Sequence, residues 1–215
     1  MSIADNITPS PAERRRHKVR EAILDAAETV FAQHGEAGLS IRKLADAIDY
    51  SPAAIYKYFG SKTELVDELK EAFFARILRC IEDQQGSEKP FPEKARECVA
   101  VYVSTALEKP HHYAAAFSGI AEPAKQDDDA FEHSNKARAF DHLASMVADG
   151  QALGFFRKDF DPELAAKSVW AASHGLALMM MHMPAFPNFD PACGDADREG
   201  FIALHADFLV RGLEK

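Results

Sequence analysis

Cysteine is scarce: Cys80, Cys98 and Cys193 are the three in 215 residues. An odd count without paired spacing excludes a disulfide framework and fits a reducing cytoplasm. No Cys-x2-Cys or His-x3-His spacing occurs among the nine histidines. His111 and His112 are adjacent and face apart on a helix, and His174 and His182 are two turns apart. No metal or cofactor is therefore expected. Long apolar runs are also missing. The most apolar, Ala177 to Met183, is too short to span a bilayer and contains His182. Met1 to Pro11 lacks the apolar core of a signal peptide. A soluble, cytoplasmic protein is expected. Catalytic patterns are absent too: no Ser/His/Asp, Cys/His, paired-carboxylate or phosphate-cradling glycine motif appears. Glu122 and His133 stand alone, and no enzymatic activity is expected.

Positive charge is in deficit overall, with a formal net charge of -9. Its distribution is uneven. Residues 1–62 hold nine Lys/Arg against eight Asp/Glu, whereas residues 63–215 hold sixteen against twenty-six. An acidic body behind a locally basic head turns that head toward phosphates.

What is present is helical periodicity throughout, with no alternating strand and no internal repeat. Ser10, Pro11 and Glu13 form a capping box with proline at the first helical position. Val19, Ile23, Ala26, Ala27, Val30 and Phe31 give that helix an apolar face, and Gly35 is placed to end it. Ser40 caps a short helix carrying Ile41, Leu44, Ala45 and Ile48 inward. Asp49 and Tyr50 form a turn, and Ser51 with Pro52 starts a third helix with Ile55 and Phe59 inside. Gly60 breaks it, and Ser61 with Glu64 opens a long helix to about Gln85 bearing Leu65, Leu69, Phe73, Ile77 and Ile81. After a Gly/Ser/Pro-bearing linker at 86–92, further helices are expected at about 92–107, 110–119, 130–153, 161–183 and 195–212. An acidic loop at 126–129 and a Pro-rich loop at 183–191 separate them. The fold class is all-α, with about nine helices. A three-helix helix-turn-helix domain at 10–62 is linked by the 61–85 helix to a larger helical domain at 63–215.

Two short helices, a tight turn and then basic and aromatic residues make a DNA reader. A helix fits the major groove with its exposed N-terminal residues on base edges, and phosphates are met by cations, hydroxyls and helix N-termini. The third helix offers Ser51, Ala53, Ala54, Lys57 and Tyr58 outward. Tyr56 and Tyr58 carry hydroxyls for phosphate oxygens, Lys62 starts the next helix, and Ser40 and Arg42 can hold the opposite backbone. Two tyrosines and two lysines on one short turn serve no packing purpose. The basic run Arg14-Arg15-Arg16-His17-Lys18 either tracks phosphates or is a solvated helix start.

RRHKVREAILDAAETVFAQHG, then LSIRKLADAIDYSPAAIYKYFGSKTELV, resembles the N-terminal domain of TetR-family transcriptional regulators. The resemblance implies a homodimer on a near-palindromic operator, usually a repressor released by a small ligand. It also puts Ser40, Arg42, Ser51, Ala53, Ala54, Tyr56, Lys57, Tyr58 and Lys62 on DNA. Asp49 stands where the family often has glycine. Ala53 and Ala54 can touch a thymine methyl but read no hydrogen-bond pattern, which leaves specificity to Arg42, Lys57 and DNA shape.

The stretch from Asp149 to Met179 resembles the C-terminal domain of a TetR subgroup marked by W-x3-H-G, here Trp170, His174 and Gly175. Trp170 and His174 lie one turn apart and point where Val169, Ala177 and Leu178 pack. They form either a polar handle in an apolar ligand pocket or a core histidine with a satisfied hydrogen bond. Tyr113, Phe117, Phe140, Met146 and Met180 are the other candidate ligand contacts, or simply core. The residues favour an apolar or amphipathic effector. Phe201, Leu204, His205, Phe208 and Leu209 make an apolar stripe at helical spacing, which is either intrachain core or, as the family resemblance implies, a dimer seam across a two-fold axis. The expected function is a DNA-binding transcriptional regulator; the alternative is a helical ligand-binding module with a degenerate head.

Overall fold

The computed structural model describes residues 10–117, 133–183, 185–187 and 197–215. The described residues form nine α-helices and one isolated antiparallel bridge, between Phe156 and Glu214. The helices are α1 (Pro11–Gly38), α2 (Ile41–Ala47), α3 (Pro52–Ile55), α4 (Lys62–Gln85), α5 (Phe91–Glu108), α6 (Pro110–Ala116), α7 (Asn135–Ala152), α8 (Pro162–His182) and α9 (Arg198–Leu213). The expected loop at 126–129 and residues 184 and 188–191 of that expected at 183–191, together with Glu122 and Cys193, lie outside the described residues.

Two compact units result, one ending at Leu69 and the other starting at Lys70, so the division falls inside α4. In the first, Ile23, Ala27, Leu44, Ala45, Ile55, Phe59 and Leu65 make the centre of a closed core. They come from every helix of the unit, at the spacing each helix needs to present one face. In the second, Phe73 is fully buried at the centre of an aromatic cluster with Phe74, Tyr102, Tyr113 and Phe117. A further core joins Val99 and Ala95 of α5 to Val147 of α7, Val169 of α8 and Val210 of α9.

The helix starts follow their caps. Ser10 Oγ accepts from the Glu13 amide at 3.2 Å while the Glu13 carboxylate accepts from the Ser10 amide at 2.7 Å. Ser40, Ser51 and Asp161 cap α2, α3 and α8 through the amides of Lys43, Ala54 and Leu164. At α4 the Ser61 hydroxyl accepts from Glu64 N at 3.0 Å, but the Glu64 carboxylate reaches back to Gly60 N at 2.7 Å rather than to Ser61.

Three boundaries and one packing position depart from the sequence reading. Gly35 adopts φ 65° and ψ -176°, breaking the helical path, yet the chain resumes a helical turn to Gly38. The regular part of α3 ends at Ile55; Tyr56 to Tyr58 continue as tight turns, with Tyr58 N donating to Ile55 O at 2.9 Å. Helix α7 begins at Asn135 because Ser134 caps it, accepting from Ala137 N at 3.1 Å. Leu178 does not pack beside Trp170 and His174: it is exposed. Eight residues after Trp170 the helical repeat has drifted by about 80°.

Candidate functional site: a DNA-reading face and an apolar cavity

In the first unit, the α2–α3 turn closes through Asp49 at φ 56°, with Tyr50 N donating to Ala45 O at 2.9 Å. An aspartate tolerates the left-handed region better than most residues, and the turn uses that tolerance in place of glycine. Ile55 and Phe59 are fully buried, which fixes the roll of the following segment and leaves Ser51, Ala53, Tyr56 and Lys57 outward. Ala54, Tyr58, Ser40 and Lys62 are half-buried, and Arg42 is exposed. The Ser40 and Ser51 hydroxyls are engaged as caps. Lys62 Nζ donates to the carbonyl of Glu36 at 3.0 Å, tying the start of α4 to the end of α1. Arg20, absent from the sequence-based selection, lies 4.8 Å above the Phe59 ring and pairs with Glu68. It anchors the segment after α3 between α1 and α4.

In the second unit, a cavity of about 940 Å³ opens among α4, α5, α7 and α8. Phe74, Ile77 and Ile81 of α4, Cys98 and Tyr102 of α5, Phe140 and Leu143 of α7, and Trp170 of α8 give it a largely apolar wall. Lys136 of α7 also lines it. Its ammonium sits 5.6 Å from the Phe117 ring centre and 5.9 Å from that of Trp170. Burial holds the Lys136 pKa below its ordinary value, against the opposing charge of Glu71. The acidic lining residues Asp141, Asp161 and Glu163 are exposed. Of these, Glu163 pairs with Lys167 at 2.6 Å and Asp161 caps α8.

Among the sequence candidates, Phe140 and Trp170 stand on the cavity wall. Tyr113, Phe117 and His174 form the aromatic cluster adjoining it, Phe117 lying 6.4 Å from Trp170 and 4.5 Å from His174. Met180 and Met146 sit in the two core clusters of the unit. His174 Nδ1 lies 2.9 Å from the Tyr102 hydroxyl and 2.8 Å from that of Tyr113, so the histidine is hydrogen-bonded on that side. Burial, and then the nearby Lys136 charge, lower the His174 pKa. Burial likewise raises the hydroxyl pKa of Tyr102, and that of Tyr113 to about 12, so both stay protonated and can donate.

Tyr102 and Lys136 were missed from sequence. Tyr102 carries no signal beyond a helical apolar face, and a lysine in the first turn of a helix reads as solvated. Phe74 could have been found, since it neighbours Phe73 on α4 and precedes Ile77 and Ile81 at helical spacing. Among the described residues, no three His, Cys, Asp or Glu side chains gather where a metal ion could be held. No described helix is long and apolar enough to cross a membrane.

This pairing of a helix-turn-helix unit with a helical unit around a cavity defines a class of regulator. The family model described as "Bacterial regulatory proteins, tetR family" matches residues 23–69, and "Tetracyclin repressor-like, C-terminal domain" matches residues 95–198. The chain belongs to the TetR family and is a DNA-binding transcriptional regulator. A relative named HTH-type transcriptional repressor KstR2, from Rhodococcus jostii, is 28% identical over 77% of this chain and 84% of its own. The structure of a protein with unknown function from Rhodococcus sp. RHA1 shares the fold at TM-score 0.73 and 22% identity, covering 99% of this chain and 100% of the other. The ketosteroid transcriptional regulator KstR2 of Mycobacterium tuberculosis matches at TM-score 0.65 and 20% identity, over 92% of this chain and 95% of its own.

Proposed function

We propose that this regulator is a cytoplasmic, homodimeric repressor, released from a near-palindromic operator by a small apolar or amphipathic effector bound in the 940 Å³ cavity. The observation that carries the reading is the presence, on one chain, of an outward Ser51–Lys57 face and a large cavity beside α4, the helix that begins in the DNA-reading unit. Tyr56, Tyr58, Lys57 and Lys62, with Ser40 and Arg42, meet phosphates and base edges, and Ala53 and Ala54 face the thymine methyls. Repression is supported by the relatives that carry that name. Dimerisation is supported by the apolar side chains exposed on α8 and α9: Leu164, Leu178 and Met179 on the first, Leu204 and Phe208 on the second.

Two reading heads must sit about one DNA turn apart, roughly 34–36 Å. A ligand that prefers another spacing lowers DNA affinity by linkage, typically by about 1–3 kcal/mol. Salt-dependent binding to the DNA flanking the protein's own gene, compared with a scrambled duplex, tests the proposal. The expected result is site-selective binding of two protomers with a steep negative salt slope. Equal, weak binding to both duplexes and to a random-sequence pool, after refolding free of ligand, would overturn it.

A further inference from the structure

Resting on the reading of the cavity as the effector site, we infer that the effector is an anionic amphiphile whose charged group takes the place of Glu71 beside Lys136. Three observations carry this. Lys136 is the one charged residue on the cavity wall that is not exposed, among the described residues. It is held at the faces of Phe117 and Trp170, where a cation is favoured and an apolar chain can lie alongside. Its neighbour in sequence, Asn135, donates its backbone amide at 2.5 Å to the Glu71 carboxylate of α4.

Glu71 thus supplies the negative charge at the start of α7. It satisfies an N-terminal amide there and faces Lys136. A carboxylate or phosphate carried by the ligand has the same chemistry and enters from the cavity side. It competes with Glu71 for Lys136 and loosens the grip of α7 on α4.

Trp170 is the only tryptophan of the chain and lines the cavity, so its emission reports occupancy. Dodecanoate and dodecanol, matched in chain length and used below micelle-forming concentrations at neutral pH, separate charge from apolar fit. In the full-length protein, dodecanoate is expected to bind about ten- to hundred-fold tighter, the scale of one charge-assisted hydrogen bond. Lys136→Met should abolish that preference and leave dodecanol unchanged. Glu71→Gln should tighten dodecanoate alone. A general loss of folding would weaken both ligands in both variants, so opposite effects on one ligand are diagnostic. Equal affinity for the two ligands, or a preference that survives Lys136→Met, overturns the inference while leaving the cavity reading in place. No emission change with either ligand removes the cavity reading itself.

Discussion

The Tyr113 hydroxyl lies 2.8 Å from Nδ1 of His174, and the two rings stack with centroids 5.5 Å apart. Tyr102 brings a second hydroxyl to the same nitrogen, at 2.9 Å. In the tautomer with its proton on Nε2, the neutral imidazole presents a lone pair to these hydroxyls; protonation would turn that acceptor into a donor. Burial and the Lys136 charge already lower the His174 pKa below 6.5. The unfolded chain therefore binds the proton more readily, and stability falls as pH drops below about 6.5, levelling only beneath the folded-state pKa. Burial lowers His142 and His205 in the same direction. Urea unfolding between pH 7.5 and pH 5 should show this decline, and His174→Gln should shallow it by up to about one proton without removing it. An unchanged slope in the variant would mean that His174 is protonated equally in both states.

Gly150 on α7 has no room for a side chain, because a β-carbon there would lie 2.2 Å from the Phe156 ring. Phe156 is fully buried, and both its amide and that of Phe155 donate to the Gly150 carbonyl at 2.9 Å. The chain reverses out of α7 against its own last turns, through Gly154 at φ 82°. Gly150→Ala should cost on the order of 1–3 kcal/mol through overpacking, despite the better helix propensity of alanine. A drop in denaturant midpoint at constant m-value is the expected readout; an unchanged or raised midpoint would show that Phe156 can move aside.

The caps and faces were legible because they are local. Ser10, Ser40, Ser51 and Asp161 announce helix starts by chemistry that acts over three residues, and the Leu65–Ile81 stripe follows from a repeat of 3.6. Two features were hidden for physical reasons. Lys136 gains its role only because α7 packs against α8 and its start meets Glu71 of α4, so a residue that reads as solvated becomes a cavity wall. Tyr102 meets His174 across 72 positions of sequence, and no local pattern encodes that approach. The stripe expected on α9 divides in a similar way. Leu204 and Phe208 point outward, while Leu209 packs against the core formed with Ile202's neighbours Ala206 and Val210.

Asp49 holds a left-handed backbone conformation, φ 56°, in the turn between α2 and α3. Glycine occupies that region without a β-carbon penalty, so Asp49→Gly should stabilise the folded state by up to about 1 kcal/mol, offset in part by the greater freedom glycine has when unfolded. A β-branched residue should do the reverse: Asp49→Val is expected to lose on the order of 1–3 kcal/mol. Thermal unfolding of both variants reads the sign. If valine were tolerated, the turn would have an alternative path and would not constrain α3.

Lys57 and Lys62 differ in what they do before any DNA arrives. Lys57 is exposed, whereas Lys62 Nζ already donates to Glu36 O at 3.0 Å and ties α1 to α4. Lys57→Ala should therefore leave stability within about 0.5 kcal/mol of the parent. If Lys57 neutralises a phosphate, the substitution lowers affinity for all sequences alike and reduces the slope of log K against log salt by about 1. If it reads a base instead, the slope holds and discrimination relaxes at one operator position by about 1–3 kcal/mol. Lys62→Ala should weaken DNA binding and also lower the unfolding midpoint, because it removes an internal tie along with a positive charge. Titrations of both variants across a salt series, beside their melting curves, separate the two roles. A Lys62→Ala protein that melts like the parent would assign this lysine to DNA alone.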